Sequence, residues 1–245
     1  MRILCPLSLA LLAAPVSLPA LGAGEEPDKV QQEKQFEREI TVKVKINYLL
    51  FLPADYGQTD KAWPMILFLH GAGESGNDLA KVKTHGPPKI VETKKDFPFI
   101  VVSPQSAGRG WDVETLRALL DDVVANYRVD KDRIYLTGLS MGGFGTWSLA
   151  AAYPNRFAAI VPICGGGNPA DAKRLKGLSI WVFHGRKDPL VPVERSEAMV
   201  KALEQVGAAV KLTVFPDAGH DSWTETYDNP ELYKWLLEHK RSAAK

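Results

Sequence analysis

The stretch Arg133–Gly143 reads RIYLTGLSMGG and combines a strand, a tight turn and the start of a helix. Its first residues form a short apolar run that is typical of a buried strand, and a helical stretch follows the turn. Within the turn, Gly138 and Gly142 flank Ser140 in the pattern G-x-S-x-G. Side chains at these two glycines would collide in a turn that projects the serine hydroxyl beyond the strand. The stretch therefore predicts a nucleophilic serine, and a glycine-rich turn without chemistry is the alternative.

Further apolar runs surround this stretch and predict a mostly parallel sheet. Continuous apolar runs suit strands that are buried on both faces. Helical patterns lie between several of these runs, so we expect an α/β fold with a doubly wound sheet. The expected strands are Met65–His70, Phe99–Ser103, Arg133–Thr137, Ala158–Cys164, Leu178–Phe183 and Val210–Phe215, and the expected helices are Val113–Tyr127, Glu194–Val206 and Glu231–His239.

The beginning of the domain predicts an antiparallel edge on this sheet. Apolar residues alternate with Thr and Lys over residues 40–46, a pattern that is typical of a half-buried strand. Residues 47–52 can pair back on that strand. We therefore expect an α/β domain over residues 40–241 that begins with an antiparallel edge.

The composition excludes several classes of protein. The chain has 245 residues, with 30 Lys and Arg against 29 Asp and Glu. Such a balance gives no general attraction to nucleic acid. The length fits one α/β domain with a sizeable core, and we expect it to act as a monomer. A polar segment, residues 23–39, precedes the domain.

The first 22 residues are predicted to be a secretory signal peptide. Arg2 is the only charged residue before Glu25, and the stretch between them is apolar and rich in Leu and Ala. A short positive region, an apolar region and a small-residue end are the parts of such a signal. We expect cleavage after Gly22 or one residue later, a secreted or periplasmic protein, and no stable membrane association after cleavage. An uncleaved N-terminal membrane anchor is the alternative.

A serine nucleophile needs a base and an acid that orients the base. His220 lies in a loop after a predicted strand, and Asp188 directly follows another. The order Ser140, Asp188, His220 is one of the known orders of a Ser-His-Asp triad. His70 and His184 also follow strands, but histidines in such places more often form local hydrogen bonds. We therefore expect His220 to be the base and Asp188 its partner.

The reaction of such a serine also needs hydrogen-bond donors for the negatively charged intermediate. One donor would be the backbone N–H of Met141, the residue after the nucleophile. The other is expected in residues 70–76, which read HGAGESG after a predicted strand. Ala72 is the first choice for this N–H and Gly73 is the alternative. A phosphate-binding loop is not favoured, because the stretch lacks the Gly-Lys-Ser/Thr ending of a P-loop.

Taken together, these motifs resemble the α/β-hydrolase superfamily. The chain is similar to secreted bacterial serine esterases of the phospholipase/carboxylesterase and predicted-peptidase type, which are related to feruloyl, acetylxylan and polyhydroxybutyrate-depolymerase-like esterases. The resemblance covers about residues 40–240. The matching stretches are Tyr48–Tyr56, Leu67–Asp78, Thr84–Lys89, Phe97–Gln105, Gly138–Trp147, Phe183–Pro189 and Ala218–Trp223.

The resemblance implies a catalytic site and excludes some relatives. It implies esterase activity without a metal or an organic cofactor, with Ser140, Asp188 and His220 as the triad. Dienelactone hydrolases share the fold but use a cysteine nucleophile, so Ser140 argues against that assignment. Two other classes stay open: a peptidase or amidase that uses the same triad, and a non-catalytic binding protein with this fold.

The sequence says less about the substrate. Residues 165–177 are too short for a large lid, which favours an open site for short acyl groups or for esters attached to a polymer. Trp111 and Trp223 follow predicted strands and could contact a sugar or an aryl group, although packing in the core is the alternative. His85 could line the same pocket, although it could equally cap a loop. We therefore expect a small-molecule or polysaccharide-linked ester as substrate.

Overall fold

Seven strands form one sheet in the computed structural model, which describes residues 35–38, 41 and 43–241. The strands are β1 (Asn47–Phe51), β2 (Trp63–Leu69), β3 (Ile100–Gln105), β4 (Val129–Leu139), β5 (Ala159–Ile163), β6 (Ser179–Gly185) and β7 (Val210–Phe215). Their order in the sheet is β1-β3-β2-β4-β5-β6-β7. Only β1 is antiparallel to its neighbour, β3. The predicted α/β fold, a mostly parallel doubly wound sheet with an antiparallel N-terminal edge, is therefore confirmed.

The helices connect the parallel strands and cover both faces of the sheet. They are α1 (Gly86–Ile90), α2 (Val113–Asn126), α3 (Met141–Ala152), α4 (Ala172–Leu175), α5 (Glu194–Gln205), α6 (Trp223–Asp228) and α7 (Pro230–Glu238). The three helices expected from apolar periodicity correspond to α2, α5 and α7. Their observed ends differ from the expected ends by one residue.

Two apolar cores explain why the strands have continuous apolar sequences. In β2, Met65, Leu67 and Leu69 pack into one core, with residues of α2, α3 and α5. The alternate residues Ile66 and Phe68 pack into the other core, with residues of α6 and α7. Successive side chains of a strand point to opposite faces, so a strand covered on both sides needs apolar residues at every position.

The strand expected at residues 40–46 is not observed in the described part of that range. Residues 41 and 43–46 belong to no strand, and Lys43–Lys45 are exposed. The strand β1 pairs with β3 instead of pairing back on this segment. An alternating pattern gives a residue's preference for extended backbone, but a strand also needs a surface on which its apolar side chains are buried. The outer edge of β1 has no neighbouring strand among the described residues, and Lys43–Lys45 stay exposed and do not pair with it.

The chain divides into two units, Met1–Val42 and Lys43–Lys245. In the first unit, residues 35–38 and 41 are described, and they are exposed without regular secondary structure. The predicted signal peptide lies outside the described residues. Among the residues that are described, no helix combines the length and the apolar character needed to cross a membrane.

The connection between β5 and β6 contains no large lid. It holds one 3-10 turn, Pro169–Asp171, and the four-residue helix α4. The carboxyl end of the sheet is therefore left open beside this connection, as the sequence predicted.

Candidate active site

Three chemically active side chains meet at the edge of the sheet where the parallel strands end. Ser140 follows β4, Asp188 follows β6, and His220 lies in the loop after β7. The carboxyl ends of parallel strands share one edge, so loops that are distant in sequence can bring side chains together there. Ser140, Asp188 and His220 therefore lie together at the carboxyl edge of the sheet.

The turn that carries Ser140 has an unusual backbone conformation. Ser140 has φ of 51° and ψ of −116°, a region that residues other than glycine rarely adopt. A Cβ on Gly142 would lie 1.9 Å from the carbonyl oxygen of Leu69, and a Cβ on Gly138 would lie 2.4 Å from that of Gly142. The expectation that side chains at these two glycines would collide is confirmed. The glycines allow α3 to begin directly against the end of β2.

His220 connects the other two side chains by hydrogen bonds. Its Nε2 lies 2.9 Å from Ser140 Oγ, and its Nδ1 lies 2.7 Å from Asp188 Oδ2. A carboxylate beside Nδ1 holds the proton on that nitrogen, so Nε2 can accept the proton of a serine hydroxyl. The geometry therefore allows His220 to take a proton from Ser140 and to pass it to a leaving group.

The Asp188 carboxylate is buried and strongly hydrogen-bonded. Its side chain has no exposed surface, and Oδ1 accepts hydrogen bonds from the N–H groups of Leu190 and Val191, both at 2.9 Å. Burial raises the pKa of this carboxyl, but the hydrogen bonds from His220, Val191 and Leu190 outweigh it, and the pKa lies below its usual value. Asp188 is therefore negatively charged at neutral pH beside the His220 ring.

A second histidine, His184, also contacts Asp188. Its Nε2 lies 2.8 Å from the carbonyl oxygen of Val191 and 3.2 Å from Asp188 Oδ2, and its Nδ1 lies 2.8 Å from Ser196 Oγ. The ring is completely buried. The expectation that His184 forms local hydrogen bonds is confirmed. The sequence analysis did not identify its contact with Asp188, although a spacing of four residues in the turn after β6 puts the two within reach.

The loop after β2 is fixed by its own polar groups. A 3-10 turn spans Ala72–Glu74, and Glu74 Oε2 accepts a hydrogen bond from the N–H of Gly71 at 2.9 Å. Gln105 Nε2 donates to the carbonyl oxygen of Glu74 at 2.7 Å. A Cβ on Gly71 would lie 2.7 Å from a methyl group of Leu139, so the loop packs against the end of β4. This contact holds the backbone of Ala72 close to the turn that carries the serine.

His70 joins this loop to the end of β3. Its Nδ1 donates to the carbonyl oxygen of Gly71 at 2.6 Å, and its Nε2 accepts from the N–H of Ser106 at 3.0 Å. Burial lowers the pKa of His70 below its usual value, and this effect outweighs the hydrogen bond to Gly71 and the nearby charge of Glu74. His70 is therefore a neutral structural histidine, as the sequence predicted for a residue that shapes a loop.

Two backbone segments are expected to bind a negative charge, and they follow the carboxyl ends of the paired strands β4 and β2. Met141 is the first residue of α3, where backbone N–H groups have no partner within the helix. Ala72 and Gly73 are exposed in the 3-10 turn. The start of a helix favours negative charge, so this region could stabilise an oxyanion next to Ser140.

The sequence profile of the Dienelactone hydrolase family matches residues 105–243, more than half of the chain. The chain belongs to this family. The argument that Ser140 excludes this assignment was therefore wrong. Membership follows from the sequence of the whole domain, whereas the nucleophile is a single position within it.

Several proteins that are similar to this chain are esterases by name. The probable feruloyl esterase C of Aspergillus terreus is 24% identical over 83% of this chain and 75% of its own length. The bifunctional acetylxylan esterase/xylanase XynS20E of Neocallimastix patriciarum is 31% identical over 56% of this chain, which spans 21% of that protein. The crystal structure of a thermostable esterase matches with a TM-score of 0.68 and 36% identity, over 81% of this chain and 60% of that one.

The similarities establish the general class of this protein. It is a hydrolase, and the comparisons support carboxylic-ester hydrolysis as its reaction. The expected relation to feruloyl, acetylxylan and other esterases of the α/β-hydrolase fold is confirmed. The alternative of a non-catalytic binding protein finds no support among these relatives.

In this hydrolase, the three candidate substrate-binding residues form two groups near the serine. Trp223 and His85 form one group beside His220, and Trp111 lines a cleft next to Ser140. Trp223 lies edge-on to His220, with 5.3 Å between ring centroids, and His85 lies 5.4 Å from Trp223. His85 Nε2 is also 3.8 Å from a carboxylate oxygen of Glu74. Trp111 packs on His70 instead, with 4.7 Å between ring centroids. Trp111 and Trp223 are partly buried at the carboxyl edge of the sheet, and each also packs against one of the two apolar cores.

A cleft of about 360 Å³ adjoins Ser140, and α3 forms one of its walls. Sequence analysis did not identify Phe144, Gly145 and Ser148, which line the cleft together with Trp111. With Met141 they lie three, four and seven residues apart, the spacing of one helix face. This spacing directly after a candidate nucleophile is the sequence signal that could have identified them.

Cys164 lies directly behind the serine turn. Its Sγ is 3.3 Å from the N–H of Ser140, and the residue has a positive φ of 40°. Burial raises the pKa of this thiol to about 12. The thiol is therefore a buried packing group that is uncharged at neutral pH. Over the described part of the chain, no three His, Cys, Asp or Glu side chains are grouped as a metal ion would require.

Proposed function

We propose that this hydrolase cleaves carboxylic esters through a covalent acyl-enzyme on Ser140. His220 accepts the hydroxyl proton as Ser140 attacks the ester carbonyl, and Asp188 stabilises the protonated ring. His220 then donates the proton to the leaving alcohol, and a water molecule repeats the sequence to release the acid. The single observation that carries the proposal is the position of His220, 2.9 Å from Ser140 Oγ and 2.7 Å from Asp188 Oδ2.

The intermediate of each step carries a negative charge on the former carbonyl oxygen. The N–H of Met141 and that of Ala72, or alternatively Gly73, would donate to this oxygen. The packing of the Gly71 backbone against Leu139 supports this assignment, because it places the loop after β2 against the end of β4.

The proposed substrates are short-chain esters or feruloyl- and acetyl-type esters attached to a polymer. The names of the relatives, feruloyl esterase and acetylxylan esterase, support this class. The short connection between β5 and β6 supports it too, because a bulky polymer could reach an open site. Trp111, Trp223 and His85 would contact the substrate.

A panel of esters tests the reaction. We expect turnover of p-nitrophenyl esters with short acyl chains, and of methyl ferulate or acetylated xylan, and little turnover of the palmitate. Activity on peptides or amides with none on esters would instead support the peptidase or amidase alternative.

Replacement of the serine tests the mechanism. Ser140→Ala should reduce kcat on the order of 10⁴-fold or more, because the nucleophile is lost. The melting temperature should stay near that of the native protein, since the side chain is small and only partly buried. Substantial remaining turnover would show that Ser140 is not the nucleophile.

We also propose that residues 1–22 are removed on export and that the mature protein is a secreted or periplasmic monomer. The apolar N-terminus with Arg2 as its only charge supports this proposal. Expression of the full chain with export should give a product whose intact mass begins at residue 23 or 24, and size-exclusion chromatography should give one chain per particle. A retained N-terminus would contradict cleavage.

A further inference from the structure

The cleft beside Ser140 lies on one side of the nucleophile. It is lined by Gly110, Trp111, Ser140, Met141, Phe144, Gly145 and Ser148. His220 is not among these lining residues, although its ring is hydrogen-bonded to Ser140. The lining thus includes Ser140 and Met141, whose N–H is the proposed donor to the oxyanion, and comes from α3 and residues 110–111 and not from the loop that carries His220.

The direction of proton transfer determines which half of an ester can occupy the cleft. His220 must donate its proton to the leaving oxygen, so the leaving alcohol has to lie on the side of the imidazole. The rings of Trp223 and His85 are on that side. The acyl group remains attached to Ser140 and needs space elsewhere, and the cleft provides that space.

Two aromatic rings border the cleft. Trp111 donates from Nε1 to the carbonyl oxygen of His70 at 3.4 Å, which fixes its indole. A Cβ on Gly145 would lie 2.7 Å from Trp111 Cδ1, so a glycine at this position lets the indole approach α3. Phe144 keeps 37% of its surface exposed, so its ring is available to a group that enters the cleft.

We propose that this cleft is the acyl subsite and that Trp111 and Phe144 select planar aromatic acyl groups. An acetyl group would leave both rings in contact with water, whereas a flat conjugated acyl group can contact them with its face or edge. The inference rests on the proposed ester hydrolysis and extends it, because it assigns the acyl and alcohol halves to opposite sides of Ser140.

Esters that share one leaving group separate acyl selection from leaving-group chemistry. We would measure kcat/KM for p-nitrophenyl acetate and p-nitrophenyl cinnamate on the native protein and on Phe144→Leu. The cinnamate-to-acetate ratio should fall roughly tenfold in the variant, the size of one aromatic contact. Ser148→Leu places a larger side chain at an exposed position of the cleft. It should lower the same ratio, because it restricts the space for the longer acyl group.

The matched control is Phe51→Leu, the same replacement in β1, at a partly buried position that is not among the residues lining the cleft. It should leave the ratio unchanged. Trp223→Leu should change the kcat/KM of methyl ferulate relative to a bulkier ferulate ester, while the cinnamate-to-acetate ratio stays near its native value.

The outcomes separate the two proposals. A ratio that is unchanged in both Phe144→Leu and Ser148→Leu, with acetate hydrolysed normally, overturns the acyl subsite and leaves ester hydrolysis standing. A ratio that responds to Trp223→Leu instead places the acyl group on the imidazole side and also overturns it. If the native protein hydrolyses no ester, ester hydrolysis fails and the subsite fails with it.

Discussion

At the scale of single residues, Asp188 is supported more extensively than a Ser-His-Asp arrangement requires. One oxygen accepts two backbone N–H groups, and the other lies near the rings of both His220 and His184. His184 in turn reaches Ser196 and the carbonyl of Val191. The buried ring therefore connects the turn that carries Asp188 to α5.

Replacing this buried histidine should destabilise the protein and weaken its activity. His184→Phe leaves the carbonyl of Val191 without this partner, which costs about 1–3 kcal/mol for a buried group, and leaves the hydroxyl of Ser196 bonded to the carbonyl of Gly165 alone. Urea unfolding measures the loss, and kcat should fall because Asp188 is held less firmly. Ser196→Ala removes one of these contacts and should cost less. A His184→Phe protein as stable as the native one would contradict this account.

At the scale of elements, the junction of β4 and α3 is the tightest packing in the site. The helix begins so close to β2 that only glycine fits at position 142. Because the same junction holds Ser140 in its strained conformation, the packing of the helix and the position of the Ser140 hydroxyl are coupled.

A single methyl group at this junction should be poorly tolerated. The Cβ introduced by Gly142→Ala would meet the Leu69 carbonyl at 1.9 Å, so the helix or the strand must move. We expect a loss of about 3 kcal/mol or more, at the upper end of overpacking effects. Chemical denaturation measures it. The matched control is Gly57→Ala, where the added Cβ meets nothing within 4 Å, and its stability should be nearly native.

The elements also show what could be predicted from the sequence. Strands such as β2 and β7 were predicted to within about two residues, because burial on both faces or clear flanking turns leave a local signal. The serine turn was predicted because Gly138 and Gly142 flank Ser140 between a strand and a helix. The conformation of residues 41 and 43–46 was not predicted correctly, since an alternating pattern does not show whether the segment will pair with another strand.

Phe144 has a local signal in its spacing from Ser140, but the cleft that it lines is completed by Trp111 from a distant loop. Glu74 was missed because its bond with Gln105 joins two loops that are distant in sequence.

At the scale of the whole molecule, buried titratable groups couple stability to pH. The folded protein lowers the pKa of His70, so the unfolded chain binds a proton at higher pH than the folded one. Stability therefore rises with pH in the interval between the folded-state pKa and the unfolded value of about 6.5, and it is lost as pH falls through that interval.

The variant His70→Gln tests this coupling. Glutamine cannot titrate, so the free energy of unfolding should vary less between about pH 6.5 and 5 than in the native protein. The two slopes against pH should differ by at most the uptake of one proton on unfolding. Denaturation at several pH values measures the slope. Gly57→Ala, which removes no titratable group, is the control and should keep the native slope. An unchanged slope in His70→Gln would remove His70 as the source.

The thiol behind the nucleophile offers an internal probe of motion. A chain without residues 1–22 has a single cysteine, Cys164, buried and next to the backbone of Ser140. A thiol reagent can reach it only when the serine turn opens, so the labelling rate reports the frequency of that opening. The native protein should label far more slowly than the unfolded chain, and an inhibitor bound covalently to Ser140 should slow it further. The serine turn thus carries its own reporter thiol.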